Sequence, residues 1–295
     1  MRHFLSIDNL TAGSALALLD RASDLQGGAP PALACAGRII ALAFFEPSTR
    51  TRVGFAVAAA RVGSVAIDAQ EPKFTLDMSA PESVADMARV ISGMVDTIVL
   101  RDANEAAHQA FVQSAVCPVI NAGNGRREHP TQTLVDLFAI RRALGRLEGL
   151  RVGIVGDGGA RAAHSLVRAL RWLNPVEVRL MCPPGRDLES SWTEGLPISI
   201  CQSLDFTDLD VLYVVGLAPS RGPGHLEAAQ RAEWAIGSAA LKMLPEKAII
   251  LCPLPRIDEI ALAVDRDVRA RYFAQSDDAV WVRASLLEHL LTDGG

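Results

Sequence analysis

The sequence alternates short apolar segments with segments of helical periodicity, and this alternation restarts once near the middle of the chain. Apolar runs bounded by turn residues are typical of strands buried in parallel sheets. We predict strands at 38–45, 64–69, 96–101, 117–122, 150–157, 176–182, 201–206, 210–216 and 248–255. Strands that alternate with helices indicate an α/β fold, here as two domains that each hold a mostly parallel sheet flanked by helices.

The boundary between the two domains is predicted at residues 145–149, where two glycines follow a long helix that starts near Pro130. This places one domain at residues 1–147 and the other at 148–295. Ligands of open α/β sheets bind beyond the carboxyl ends of the strands. Each motif described below lies at such a strand-to-helix junction.

Helices are also predicted at both ends of the chain. Thr11 can cap a helix, and an apolar face for that helix is formed by Leu16, Leu19, Ala22 and Leu25. The stretch 280–291 is apolar at helical spacing.

Charge and cysteine content exclude several classes of protein. The net charge of −5 disfavours a nucleic-acid partner, because the chain as a whole would repel a polyanion. Five widely spaced cysteines fit reduced thiols, and neither a disulfide framework nor a zinc site is expected. The N-terminus lacks a signal-peptide pattern, and no apolar run approaches the ~20 residues of a membrane helix. We therefore expect a cytoplasmic enzyme.

The segment FFEPSTRTR, residues 44–52, predicts an anion site. A buried strand ends there, and a helix begins whose first turn carries Ser48, Thr49, Arg50 and Thr51. The first turn of a helix offers free backbone N–H groups and the positive end of the dipole, which suit a phosphate. An ordinary serine cap followed by solvated arginines is an equally good interpretation of the spacing alone.

The segment EHPTQTLVDLF, residues 128–138, places His129 and Gln132 three residues apart at a second helix start. Residues at this spacing share one helix face. Imidazole and carboxamide groups can polarise a carbonyl and orient its amide. A capping or surface role is the alternative.

Two further junctions lie in the second half of the chain. GDGGARAAHS, residues 156–165, matches only the first two glycines of a dinucleotide fingerprint, because Arg161 stands at the third position. In LCPLPRIDEI, residues 251–260, two prolines rigidify the chain and donate no N–H. The carbonyls of Cys252, Pro253 and Leu254 can then accept from a ligand's amino group, unless the segment is only a strand-terminating loop.

Arg101 is a further candidate, since it ends the strand pattern DTIVLR and would point into the crevice. A structural ion pair with Asp102 or Glu105 is the alternative for this arginine.

Taken in order, these motifs resemble the aspartate/ornithine carbamoyltransferase family over nearly the whole chain. The resemblance lies in HFLSIDNLT, FFEPSTRTR, LRD, INAGNGRREHPTQTLVDLF, GDGGARAAHSL, CPLPRIDEI and YFAQSDDAVWVRASLL. HPTQTLVDLF and the P-L-P-R-x-D-E-I ending are closer to the aspartate branch. The resemblance implies carbamoyl transfer from carbamoyl phosphate to the amine of L-aspartate in pyrimidine biosynthesis, without a metal, a cofactor or a covalent intermediate.

The same resemblance implies the roles of the residues. Ser48, Thr49, Arg50 and Thr51 would bind the phosphate, and Arg101 would reach both phosphate and carbonyl oxygen. Thr51, Arg101 and His129 would stabilise the oxyanion. The carbamoyl nitrogen would be held by Gln132 and the carbonyls of Pro253 and Leu254, and the acceptor carboxylate by Arg161.

The resemblance also implies an assembly. It implies a homotrimer or larger, with sites between subunits, a C-terminal helix that packs back toward the first domain, and a regulatory or dihydroorotase chain as a candidate partner. Residues 1–147 would bind carbamoyl phosphate and residues 148–295 the acceptor.

Three departures from the family pattern affect the acceptor half of the site. The family's loop lysine is replaced by Ala80, with Lys73 seven residues upstream. Gly216 and Ala218 stand where the aspartate enzymes carry an arginine and a glutamine, and Arg221 follows in the same loop. The usual histidine before P-L-P-R is Cys252, and the loop before Arg161 is one residue short.

Three hypotheses fit this pattern. The chain is an aspartate enzyme with relocated acceptor contacts, a carbamoyltransferase for a different amine, or a weakly active homologue that serves as a structural or regulatory subunit.

Overall fold

The structure is a computed structural model that describes residues 3–69, 82–217 and 226–292. The chain forms two compact units, one of residues 1–134 with 279–295 and the other of residues 135–278. The prediction of two parallel-sheet α/β units is confirmed. No helix within the described ranges is long and apolar enough to cross a membrane.

The first part of the chain alternates strands and helices as predicted. In chain order the elements are α1 (Ala12–Gln26), β1 (Ile39–Phe44), α2 (Thr49–Arg61), β2 (Val65–Ala69), α3 (Val84–Ser92), β3 (Thr97–Asp102), α4 (Glu105–Ser114), β4 (Val119–Asn124) and α5 (Pro130–Leu144). Short 3-10 turns lie at Ile7–Asn9 and Leu33–Cys35. The four strands form a parallel sheet in the order β2-β1-β3-β4.

The core of the first unit lies against this sheet. Side chains of β1, β3 and β4 pack with those of α3 and α4; buried members are Ala41, Ala43, Met87, Ile98, Leu100, Phe111 and Val119. Because β1 and β3 are central neighbours, Phe44 pairs in register with Arg101. The ends of these two strands therefore meet at one edge of the sheet.

The second part of the chain repeats the pattern. Its elements are β5 (Arg151–Val155), α6 (Arg161–Leu170), β6 (Glu177–Met181), α7 (Ser190–Thr193), β7 (Ile198–Cys201), β8 (Val211–Val214), α8 (Ala228–Glu233), α9 (Ser238–Met243), β9 (Ile249–Leu251) and α10 (Tyr272–Thr292), with 3-10 turns at Arg171–Leu173 and Leu262–Arg266. The sheet is parallel in the order β7-β6-β5-β8-β9. From β5 the chain first adds strands on one side, β6 and β7, and then on the other side, β8 and β9, so the strand order changes direction between β5 and β8. In such sheets that switch point is where ligands bind.

The C-terminal helix is longer than predicted. It starts at Tyr272, and its residues from Ala279 onward belong to the first unit, as expected of a helix that packs back toward the first domain. Ser285 donates to the carbonyl of Leu18 at 2.7 Å, and Glu288 forms an ion pair with Arg21 at 2.6 Å. These contacts join the end of the chain to α1.

Two predictions about local structure are wrong, one about the buried face of α1 and one about the position of a strand. Leu16 is 39% exposed, and the apolar face of α1 is formed instead by Ala15, Leu18, Leu19, Ala22 and Leu25. The strand predicted at 201–206 lies earlier, at Ile198–Cys201. Phe206 is buried although it lies in an irregular segment, and an apolar residue of this kind gives the same sequence pattern as a strand.

Candidate active site

The predicted anion site lies at the start of α2. Ser48 occupies the N-cap position, but its side chain makes no capping hydrogen bond. Thr51 is buried, whereas the Thr49 and Arg50 side chains are exposed at the helix start. A hydroxyl that does not cap its own helix remains free to bind a ligand. The ordinary serine cap is therefore the weaker interpretation of this segment.

Arg101 lies at the end of β3, and its side chain is 11% exposed. Its Nη2 donates to Glu46 Oε1 at 3.0 Å, and its Nη1 donates to the carbonyl oxygen of Ala122 at 3.3 Å. The sequence offered Asp102 or Glu105 as the partner of this arginine, whereas the structure pairs it with Glu46. Glu46 is two residues beyond Phe44, which pairs with Arg101, so knowledge of the strand order would have found it.

A second buried guanidinium lies behind α2. Arg283 of α10 is buried and packs over the ring of Phe55, with 5.5 Å from guanidinium carbon to ring centroid. A Cβ on Gly54 would lie less than 3.0 Å from the Arg283 side chain, so the glycine makes room for it. Burial, and secondarily the charge of Arg50, lowers the pKa of Arg283 to about 10. This charge adds to the positive potential near the helix start.

His129 and Gln132 are both buried at the start of α5, so a surface role for this pair is wrong. The His129 carbonyl accepts from the N–H of Gln132 at 3.0 Å, which forms the first turn after Pro130. His129 Nδ1 lies 3.2 Å from the hydroxyl of Thr131. When that hydroxyl donates, the proton resides on Nε2, which can then donate to a carbonyl oxygen.

In the second unit, Arg161 is the first residue of α6, and the N-cap residue of this helix is Ala160, whose methyl side chain cannot form a capping hydrogen bond. The preceding loop is held by Asp157, whose carboxylate accepts from the N–H of Gly159 at 3.0 Å. The N–H of Asp157 in turn donates to the carbonyl of Gly216 at 3.2 Å. The loops after β5 and β8 thus meet at the switch point of the sheet.

The two fingerprint glycines serve the packing of the chain. The N–H of Gly158 donates to the carbonyl of Arg186 at 2.8 Å, and a Cβ on Gly158 would lie 2.7 Å from that oxygen. The space where a pyrophosphate would approach is therefore filled by backbone. Gly156 has a φ of +117° and lies against the carbonyl of Val215. The dinucleotide interpretation loses its main support.

The carbonyls that were predicted to bind a ligand's amino group belong to the segment after β9. Pro253 and Leu254 are half-buried, and Leu254 has a φ of +54° before a cis peptide bond to Pro255. Arg256 forms an ion pair with Asp265 beyond this turn. That guanidinium, together with the Tyr272 hydroxyl, lowers the pKa of the Asp265 carboxyl to about 2.

Of the residues that depart from the family pattern, Gly216 and Cys252 are described. Cys252 is buried, and burial raises the pKa of its thiol to about 12, so the thiol remains protonated. Ala80, Lys73, Ala218 and Arg221 lie outside the described residues.

The fold defines a class: an α/β protein of two parallel-sheet units, with polar side chains and two uncapped helix starts at the ends of its strands. One family model matches each half of the chain. The aspartate/ornithine carbamoyltransferase carbamoyl-P binding domain matches residues 2–142, and the Asp/Orn binding domain matches residues 148–290. The chain belongs to the aspartate/ornithine carbamoyltransferase family.

Individual relatives agree with this assignment. The chain is 37% identical to the aspartate carbamoyltransferase catalytic subunit of Methanocaldococcus jannaschii over 99% of both chains. It is 40% identical to that of Thermococcus onnurineus over 85% of this chain and 83% of the relative. The crystal structure of the M. jannaschii catalytic subunit superimposes with a TM-score of 0.88 over 99% of both chains, at 35% identity.

A Trypanosoma cruzi aspartate transcarbamoylase in complex with N-(phosphonacetyl)-L-aspartic acid superimposes with a TM-score of 0.87 at 30% identity. That match covers 98% of this chain and 95% of the other.

Proposed function

We propose that the chain is an aspartate carbamoyltransferase, which transfers the carbamoyl group of carbamoyl phosphate to the amine of L-aspartate. The observation that carries the proposal is full-length likeness to enzymes of that name, together with the uncapped helix start at Ser48. The amine nitrogen attacks the carbamoyl carbon and forms a C–N bond. The tetrahedral intermediate then expels phosphate as the C–O bond breaks, and the nitrogen releases its proton. The product is N-carbamoyl-L-aspartate, a precursor in pyrimidine biosynthesis.

The phosphate is proposed to bind at the start of α2. Ser48, Thr49 and Thr51 supply hydroxyls there, Arg50 supplies a guanidinium, and the helix adds backbone N–H groups. Binding the leaving phosphate also stabilises the negative charge that it gains as the C–O bond breaks.

The developing oxyanion is proposed to lie against Thr51, Arg101 and His129. Arg101 is held in place by Glu46 and by a backbone carbonyl, so its guanidinium is oriented before substrate arrives. Groups fixed in advance stabilise a transition state without reorganisation. Gln132 and the carbonyls of Pro253 and Leu254 hold the carbamoyl nitrogen, and catalysis is by positioning and positive charge.

The acceptor is proposed to bind through its carboxylate to Arg161 at the start of α6. The assignment of residues 1–147 to carbamoyl phosphate and 148–295 to the acceptor stays a prediction. So do the homotrimer, a regulatory or dihydroorotase partner chain and the cytoplasmic location.

A second candidate function follows from Gly216. A glycine there provides neither charge nor side-chain hydrogen bond to an acceptor carboxylate, and a Cβ added at this position would lie 3.9 Å from Glu259 Oε1. A less acidic amine acceptor fits this position, and a weakly active chain with a structural or regulatory role is the remaining alternative. A carboxylate left without its charged partner in a buried site lowers affinity by about 2–5 kcal/mol.

An acceptor panel tests the proposal. The purified chain is given carbamoyl phosphate with L-aspartate, L-glutamate, L-asparagine or L-ornithine, and ureido products are identified and quantified. We expect L-aspartate to have the highest kcat/KM. A higher value for another amine would identify a different acceptor. Turnover with none of them, while carbamoyl phosphate still binds, would leave the subunit role.

A further inference from the structure

The groups proposed to accept hydrogen bonds from the carbamoyl nitrogen are backbone carbonyls. A backbone carbonyl has no rotatable side chain, so its direction is set by the contacts that hold the surrounding backbone. They belong to Pro253 and Leu254, which follow β9 and Cys252 in the chain. Leu254 has a φ of +54°, a conformation that residues other than glycine rarely adopt. Such conformations persist where neighbouring contacts enforce them, and they are common at functional sites.

One side chain fixes the start of this segment. Gln275 of α10 is 2% exposed, and its Oε1 accepts from the backbone N–H of Cys252 at 3.0 Å. Its Nε2 donates to Oδ1 of Asp136 at 2.6 Å. A carboxamide can accept at one end and donate at the other, which neither a carboxylate nor an ammonium can do.

Asp136 determines which way the amide of Gln275 faces. This aspartate of α5 is fully buried, and its Oδ2 also accepts from the hydroxyl of Tyr213 at 2.8 Å. Burial and the Asp136 charge raise the pKa of Tyr213 well above its ordinary value, so the phenol stays protonated and donates. Since a carboxylate oxygen only accepts, the amide group of Gln275 that faces Asp136 is the N–H, and the amide oxygen is directed at Cys252.

The far end of the segment is fixed independently. The Glu259 carboxylate accepts from the N–H groups of Ile257 at 2.9 Å and Asp258 at 3.1 Å. The carbonyls of Pro253 and Leu254 thus lie between two anchored points, and Gln275 provides the anchor nearer to them.

We propose that Gln275, oriented by Asp136 and Tyr213, is a positioning residue that aims the Pro253 and Leu254 carbonyls at the carbamoyl nitrogen; this rests on the proposed function. This role predicts different effects on the recognition of the carbamoyl group and on the binding of the phosphate group. Loss of Gln275 affects recognition of the carbamoyl group and leaves phosphate binding at the start of α2 intact.

The test compares Gln275→Met with the wild type. Two quantities are measured: kcat/KM for carbamoyl phosphate with saturating L-aspartate, and the inhibition constant of inorganic phosphate. We expect kcat/KM to fall by about 10- to 100-fold, since displacement of a positioning group by 1 Å can have such an effect. The inhibition constant should stay within about twofold, whereas a general disruption of the fold changes both. The control is Gln113→Met, which alters an exposed glutamine of α4 and should change neither.

A second variant guards against a folding failure of Gln275→Met. The double variant Asp136→Leu with Tyr213→Phe removes a buried carboxylate and the phenol hydroxyl that donates to it together, so that hydroxyl is not left unpaired in the interior. It leaves Gln275 without its orienting contact, so kcat/KM should fall by about fivefold or more with the phosphate constant unchanged. Wild-type kcat/KM in either folded variant would overturn the proposal for Gln275 alone. A wild-type chain without turnover overturns the proposed function, and the role of Gln275 with it.

Discussion

Replacing Arg101 by methionine is expected to lower kcat/KM for carbamoyl transfer by about 10²- to 10³-fold, the usual effect of removing one oxyanion donor. The guanidinium is nearly buried and oriented by Glu46 and the Ala122 carbonyl. In the proposed mechanism its loss removes a charge that stabilises the oxyanion, and it also removes the 3.0 Å ion pair with Glu46. Steady-state kinetics with carbamoyl phosphate as the varied substrate measures the effect.

The matched control for this variant is Arg38→Met. Arg38 also forms an ion pair, with Asp96 at 2.6 Å, but its side chain is 47% exposed and it precedes β1. Exposed pairs of this kind contribute little, so activity should stay within about twofold. Equal losses in both variants would mean that Arg101 acts only through the fold.

The Gly156→Ala variant is expected to lose roughly 2–5 kcal/mol of stability, from an unfavourable left-handed backbone and from overpacking. Gly156 has a φ of +117°, and a Cβ there would lie less than 3.0 Å from the carbonyl oxygen of Val215. Since that neighbour is backbone in the loop after β8, it cannot simply rotate away. The shift of the urea unfolding midpoint, followed by circular dichroism, measures the loss.

Gly13→Ala is the corresponding control. Gly13 is exposed in the first turn of α1, and a Cβ added there would lie 3.8 Å from the Thr11 hydroxyl, an ordinary van der Waals distance. Alanine favours helix over glycine by about 1 kcal/mol or less, so stability should be unchanged or slightly higher. A Gly156→Ala protein as stable as the Gly13→Ala protein would show that the Gly156 turn relaxes without cost.

Local features of the fold were predictable from the sequence because neighbouring residues determine them. Pro130 at the first position of α5 and Thr11 as the cap of α1 are examples. Leu16 was assigned to the wrong face because apolar residues surround it in α1, so periodicity alone does not locate the buried stripe. A strand was wrongly predicted at Phe206 because burial and strand formation favour the same residue types.

Features of the candidate site that depend on strand order were not predictable in this way. Glu46 and Arg101 are 55 residues apart, and Asp136 and Gln275 are 139 apart. Motifs located the proposed ligand-binding residues at the ends of strands or the starts of helices, because each motif is a short contiguous segment. The side chains that orient them come from elsewhere in the chain, where no motif marks them.

The central claim is that this chain carries both a carbamoyl-phosphate site and an aspartate site. Isothermal titration calorimetry with N-(phosphonacetyl)-L-aspartic acid tests this claim most directly, because this compound joins a phosphonate to the aspartate skeleton. We predict that it binds the purified chain at least about 100-fold more tightly than inorganic phosphate, as expected of a ligand that spans both parts of such a site. Arg50→Ala should weaken the binding of both compounds. An affinity no higher than that of phosphate would contradict the claim for aspartate.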